Sequence, residues 1–303
     1  MSINGFLIHP DVKKALKNNK PVLAMESTIL AHGMPFPDNL AFAKSSEVLV
    51  KSMGAIPATI AIINGRIKIG LDEKELEFVC KNKEIHKTSL RDLGMVISEN
   101  KSGATTVSAT MRLAYLAGID VFATGGIGGV HHNYTKNMDA SQDLKALSNI
   151  PIIVVSSGAK SILDLPKTLE ALESFSVPVI GFKTKEFPAF YSRNSGLMLN
   201  NYVESVEEII KQYKASQSLK INSAFLIANP IEKKDEISKN EIRSYIETAL
   251  LLAEENEISG KSVTPFLLKT VADLSNGKCL KANISLALNN IKLGTEIAVA
   301  LAS

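Results

Sequence analysis

The chain has 303 residues, 45% of them apolar and 21% charged, the balance of an ordinary globular protein and not of a disordered or fibrous one. Its 34 basic side chains oppose 31 acidic ones, leaving a net charge of +3 that gives neither a nucleic-acid footprint nor an acidic tail. The two cysteines, Cys80 and Cys279, stand far apart with no CxxC pair, which argues against a disulfide framework and fits a reducing cytoplasm.

The N-terminal stretch, residues 1–10, lacks a basic region followed by a long apolar core. No uninterrupted apolar run approaches the roughly 18 residues of a membrane span. The expectation is a soluble cytoplasmic protein without a membrane segment. Along the chain, short apolar stretches at 22–25, 59–63, 121–124, 152–155, 177–182 and 224–228 read as strands. Amphipathic stretches at 41–53, 108–117, 143–147 and 163–175 read as helices between them. The charged run at 233–240 reads as a solvated loop opening a helix over 241–255. Alternating strands and helices predict an α/β fold, a mostly parallel sheet layered between helices. With no linker or repeat, residues 1–303 read as a single domain, and ligands should gather where strands end and helices begin.

Polar residues concentrate at these predicted strand ends. Lys160 follows the run Pro-Ile-Ile-Val-Val-Ser-Ser-Gly-Ala, with a helix read directly after it from Ser161. A helix N-terminus carries about half a positive charge, which favours the neutral amine that a Schiff base requires. By itself the segment also reads as a surface lysine on a strand-to-helix loop. Glu26 closes the first predicted strand, where burial would raise its pKa and suit it to donate a proton, though a turn or helix-cap carboxylate fits the same position. His32 reads more readily as a packed histidine than as a catalytic one.

Residues 103–110, Gly-Ala-Thr-Thr-Val-Ser-Ala-Thr, lead into a helix and offer four hydroxyls and backbone N–H groups to a phosphate; simple capping needs only one hydroxyl. The run Gly125-Gly-Ile-Gly-Gly129 fails the spacing of a dinucleotide fingerprint and reads better as a close backbone approach or a turn. Asp139 and Asp143 share one face if a helix begins by Asp139, and paired oxygen ligands suit a hard divalent ion. Alternatively Ser141 caps the helix and the carboxylates are an ordinary acidic start.

Taken in order, Glu26-Ser-Thr-Ile-Leu-Ala-His-Gly-Met-Pro, Pro57-Ala-Thr-Ile-Ala, the 103–110 run, Phe122-Ala-Thr-Gly-Gly-Ile-Gly-Gly-Val-His, Ser157-Gly-Ala-Lys-Ser-Ile-Leu-Asp, Glu186-Phe-Pro-Ala-Phe-Tyr-Ser, Ala228-Asn-Pro-Ile, Lys261-Ser-Val-Thr-Pro-Phe-Leu-Leu and Ala282-Asn-Ile-Ser-Leu resemble the pseudouridine-5′-phosphate glycosidase family, the indigoidine synthase A-like proteins. The resemblance runs from about residue 8 to the C-terminus and implies that family's α/β/α fold. It also implies reversible cleavage of the C–C glycosidic bond of pseudouridine 5′-phosphate to uracil and ribose 5-phosphate, with manganese or another divalent cation and a homotrimer. Position by position, Lys160 corresponds to the Schiff-base nucleophile and Glu26 to the proton donor. Lys87, Val107, Ser141, Gln142, Asp143 and Asn283 correspond to substrate-binding positions, and Asp139 to the metal ligand. His132-Asn133, where Arg-Gly is common, the loop after it, and Gln142, where a small residue is usual, depart from the pattern and touch the detail of substrate contacts. Two other readings stay open: a Schiff-base lyase or aldolase acting on another sugar phosphate or C-nucleoside, and a non-catalytic sugar-phosphate-binding protein.

Overall fold

The computed structural model describes residues 6–132, 134–258 and 263–303. Eleven strands form one sheet: β1 (Phe6–Ile8), β2 (Val22–Met25), β3 (Ile56–Ile63), β4 (Arg66–Ile69), β5 (His86–Thr88), β6 (Gly103–Thr105), β7 (Val121–Ala123), β8 (Ile153–Ser156), β9 (Val179–Phe182), β10 (Asn201–Val203) and β11 (Phe225–Ala228). The main order is β1-β4-β3-β2-β7-β8-β11-β9-β10, and β6 branches from β3 to carry β5. Within this sheet β3 meets β4 and β6 antiparallel and every other pairing is parallel. The α/β expectation with a mostly parallel sheet therefore holds. The central strands β2, β7, β8 and β11 are buried along their whole length. That is why they read as short, nearly continuous apolar runs instead of alternating ones.

Register decides what these strands deliver. Met25 lies beside Ala123, Ala123 beside Val155, and Val155 beside Ile227. Four parallel strands thus end within one residue of each other, and Glu26, Thr124, Ser156 and Ala228 share one rim. Large side chains such as Leu23, Phe122 and Met111 are fully buried beneath it. Each adds about 1.5–3 kcal/mol of apolar burial, so the rim rests on a rigid, well-packed base.

The helix Lys278–Ala302 crosses this centre and packs on β2, β7 and β8. At Gly294 a Cβ would stand 3.0 Å from Leu23 and 3.1 Å from Ala123, so the glycine lets the helix approach the sheet more closely than most side chains would. By length and composition alone this helix is apolar enough to cross a membrane, a test that a core helix also meets, and half of its most apolar stretch is buried within the fold. Asn283, Asn290 and Thr295 are buried on it.

One expected boundary is corrected, and one open alternative is decided in favour of the Ser141 cap. The helix after Lys160 is Leu165–Ser174, capped by Asp164, whose side chain accepts from the Lys167 N–H. Residues 161–164 form a turn, so Lys160 does not sit directly ahead of a helix end and the dipole argument for its neutral amine loses its basis. The acidic helix is Gln142–Leu147, capped by Ser141, so Asp139 lies before it and shares no helical face with Asp143.

Candidate active site

A cavity of about 230 Å³ opens over these strand ends. It gathers Glu26, Lys87, Val107, Asp139, Ser141, Gln142, Asp143, Lys160 and Asn283, every residue singled out for the site. They come from strand exits, from two helix starts and from the C-terminal helix, and only the tertiary fold brings them together.

Glu26, one residue past β2, is only 6% exposed. Its Oε1 accepts a hydrogen bond from the Thr124 hydroxyl, which stands one residue past the neighbouring strand β7. Burial raises its pKa above the ordinary carboxylate range, against the opposing pull of Lys160, the Thr124 hydroxyl and Lys87; Asp143 adds to the rise. A buried acid of this kind retains its proton closer to neutrality than an exposed one.

Lys160 reaches the same space from the turn after β8. Its backbone N–H donates to the Ile127 carbonyl at 3.0 Å, and its Nζ donates to the Gly126 carbonyl at 3.0 Å. The amine is therefore held by a backbone oxygen instead of a carboxylate, in a half-buried position. Lys87 enters from β5, also half-buried, and faces Glu26, His32 and His131 electrostatically.

The glycine run is a packing device. A Cβ on Gly126 would stand 2.6 Å from the Phe190 ring, on Gly128 2.2 Å from Ser141 Oγ, and on Gly129 2.4 Å from Thr168 Oγ1. The close approach anticipated from the sequence is thus made first by the protein's own side chains. Asp143 shows what this approach achieves: Oδ1 accepts from the Ser108 N–H at 2.9 Å and Oδ2 from the Gly128 N–H at 2.8 Å. This carboxylate, 5% exposed, ties the start of the helix Val107–Ala117 to the glycine turn. Gln142 Oε1 accepts from the Arg91 N–H at 3.1 Å and fixes the 89–92 segment against the same wall.

Of the four hydroxyls in residues 103–110, two turn inward. Thr105 donates to the Ile60 carbonyl and Thr110 donates to Thr105, both fully buried. Thr106 and Ser108 line the cavity and lie 3.1 Å apart, beside the first turn of the helix. The anion-binding wall is accordingly two hydroxyls and a helix start, with Lys87 nearby.

Two buried atoms among the lining residues lack a hydrogen-bond partner: Asn283 Oδ1 and His32 Nε2. Orphaned polar atoms of this kind are costly unless a ligand or water meets them. His32, expected to be a packed histidine, instead turns toward the cavity. Burial first, then Lys87, lowers its pKa, which favours the neutral imidazole. Burial likewise lowers that of His131, partly offset by Asp139.

For a divalent cation the fit is limited but chemically sensible. Among the described residues no group of three or more His, Cys, Asp or Glu side chains could enclose a metal. Asp143 is committed to two backbone N–H groups and Glu26 to Thr124. Asp139 lines the cavity and interacts electrostatically with His131; a single lining carboxylate suits a hard ion retaining most of its waters and not a closed cage.

Sequence comparison places these features in a known group. Residues 11–300 match the family model described as indigoidine synthase A-like protein. The chain is 52% identical over 300 residues to a pseudouridine-5′-phosphate glycosidase of Caldanaerobacter subterraneus, covering 99% of this chain and 98% of that one. It is 50% identical over 290 residues to one of Legionella pneumophila, covering 96% and 94%. Among solved structures, an indigoidine synthase A-like protein of Thermotoga maritima superposes with a TM-score of 0.92 at 38% identity, covering 100% and 99% of the two chains. The prealnumycin C-glycosynthase AlnA, in complex with ribulose 5-phosphate, superposes with a TM-score of 0.91 at 33% identity, covering 99% and 97%. With matching length, fold and motifs, the chain belongs to the indigoidine synthase A-like family.

Proposed function

We propose that this protein is a pseudouridine-5′-phosphate glycosidase, a lyase that reversibly cleaves the C–C glycosidic bond to give uracil and ribose 5-phosphate. The observation that carries this reading is the pairing, over one cavity, of a buried carboxyl of raised pKa, Glu26, with the amine of Lys160. Relatives about half identical over nearly their whole length bear that enzyme's name.

A C–C glycosidic bond has no leaving oxygen to protonate, so the two-carboxylate route used for O-glycosides does not apply directly. Glu26 donates its proton to the ribose ring oxygen, and the ring opens. The Lys160 amine adds at C1′ and loses a proton, forming a C–N bond. Protonation of uracil C5 then lets the C1′–C5 electron pair leave with the base, and the amine lone pair compensates as an iminium of ribose 5-phosphate. Water adds to the iminium carbon, Lys160 leaves as the amine, and the proton count closes with one water consumed.

Thr106, Ser108, the N–H groups at Val107 and Lys87 would receive the phosphate, whose binding energy orients C1′ toward Lys160. Ser141 and Asp143 would act on the substrate chiefly by shaping the loop between them and the glycine turn. Asp139 would hold a divalent cation, manganese being the family's usual one, together with waters. Such an ion supplies charge neutralisation near the phosphate or base. A homotrimer and a cytoplasmic location belong to the same reading.

The AlnA likeness supports a second reading, a sugar phosphate joined at carbon to a different aglycone. The two are separated by offering purified protein pseudouridine 5′-phosphate and other C-nucleoside 5′-phosphates and monitoring release of the base. Uracil release faster than that of any other base supports the first; release only from another C-nucleoside supports the second.

A further inference from the structure

The helix Lys278–Ala302 sends a second asparagine, Asn290, beneath the site, where it is fully buried. Its carboxamide is saturated. Nδ2 donates to the Thr124 carbonyl at 2.8 Å, to the Ser157 hydroxyl at 3.1 Å and, more weakly, to the Gly125 carbonyl at 3.2 Å. Oδ1 accepts from Asn229 Nδ2 at 3.0 Å. Thr124, Ser157 and Asn229 follow β7, β8 and β11, so one side chain joins the exits of three adjacent strands.

Those exits carry the reacting groups. The Thr124 hydroxyl donates to Glu26, and one residue past Gly125 the Gly126 carbonyl receives Lys160 Nζ. The two turns also lace together through the backbone: the Ser157 N–H donates to Gly125 and the Ile127 N–H to Gly158. Asn290 stands at the foot of this lacing. A buried carbonyl left unpaired is expensive, so without the amide the Thr124–Gly126 turn would move to find another donor.

We propose that Asn290 is a positioning residue that fixes the turns after β7 and β8 so that Glu26 and Lys160 face one reacting carbon. The inference rests on the glycosidase reading above. Reaction between a placed acid and a placed amine is sensitive to displacements of an ångström or less, whereas the cavity walls that bind phosphate come from other elements. Loss of Asn290 should therefore lower kcat much more than it raises KM. It should also loosen the Thr124 hydrogen bond, which favours the ionised form of Glu26. The charged groups facing Glu26, namely Lys160, Lys87 and Asp143, stay in place. The basic limb of the pH–kcat profile should accordingly move to higher pH.

The test compares wild type, Asn290→Leu and Ile297→Ala in uracil release from pseudouridine 5′-phosphate across pH, with thermal unfolding of each. Ile297 is fully buried on the same helix and is a control for loss of packing alone. Expected for Asn290→Leu is a kcat reduced about 10–100-fold with KM within about threefold, and a basic limb displaced upward. Ile297→Ala should lose stability yet keep kcat and its pH profile. If Asn290→Leu does not fold, Asn290→Ser, which retains a shorter donor, is held to the same split. Unchanged kcat and pH profile in the folded Asn290 variant, or an equal kcat loss and shift in Ile297→Ala, overturns the proposal. Wild-type protein that releases no uracil instead overturns the glycosidase reading.

Discussion

Asp143→Asn separates a structural carboxylate from a substrate ligand. Asp143 accepts two backbone N–H bonds, from Ser108 at 2.9 Å and Gly128 at 2.8 Å. An asparagine offers one oxygen and one NH2 group, so one backbone donor loses its acceptor and meets another donor. A hydrogen bond to a charged group is worth about 1.5–3 kcal/mol, and stranding its buried partner costs a similar amount, so a net loss of about 3 kcal/mol is expected. With an unfolding entropy of about 2.1 cal/mol/K per residue, 303 residues give about 0.6 kcal/mol/K, hence a fall in Tm of about 5 °C. Differential scanning fluorimetry with and without substrate, alongside steady-state kinetics, reads both quantities. A Tm within about 1 °C of wild type with a raised KM would refute the reasoning, because Asp143 would then act on the substrate and not on the two turns.

Glu26→Gln should abolish most activity, by about 10²–10⁴-fold, yet stabilise the protein at neutral pH. The folded state holds the Glu26 pKa above its unfolded value, so its favourable contribution is full below the ordinary carboxylate pKa and is lost as pH rises through the raised one. Glutamine removes that loss, so denaturant midpoints measured from acid to mildly alkaline pH should diverge in the variant's favour as pH rises. Gly128→Ala would place a Cβ 2.2 Å from Ser141 Oγ and 2.8 Å from Asp143 Oδ2, and overpacking of about 3 kcal/mol should appear as reduced Tm and lost turnover. Chelation should lower the rate and manganese restore it. In Asp139→Asn the manganese concentration for half-maximal activity should rise about tenfold or more, measured by titration of the apo protein.

Much of this site was legible because buried parallel strands announce themselves as apolar runs, and the residue after each run lies on the rim. Residues 22–25 form β2 as expected, and Glu26 emerges from it into the buried position proposed for an acid. Lys87 could be placed by resemblance alone. Its strand, His86–Thr88, is three residues long with no apolar pattern, and it exists only because β6 offers an edge beside it. Strands β1, β4 and β10 have no sequence signal for a related reason: segments of three or four residues depend on neighbours elsewhere in the sheet. The helix after Lys160 was expected too early because Ser161-Ile-Leu continues the apolar pattern, whereas Asp164-Leu-Pro supplies the cap and N-terminal proline that start it. Asn283 was visible within a motif, but Asn290 was not. Its meaning depends on three strand exits converging under one helix, and the only local hint is an asparagine pair inside an otherwise apolar helical stretch.

In the proposed reaction Lys160 bonds covalently to the sugar carbon released from uracil. The most direct measurement incubates the protein with pseudouridine 5′-phosphate and manganese, reduces with borohydride, and locates any mass increase by peptide mapping. The expected result is uracil release together with a reduced ribose-phosphate adduct on Lys160, and neither in Lys160→Arg, whose guanidinium stays protonated and cannot add. Near-normal uracil release by Lys160→Arg would contradict it.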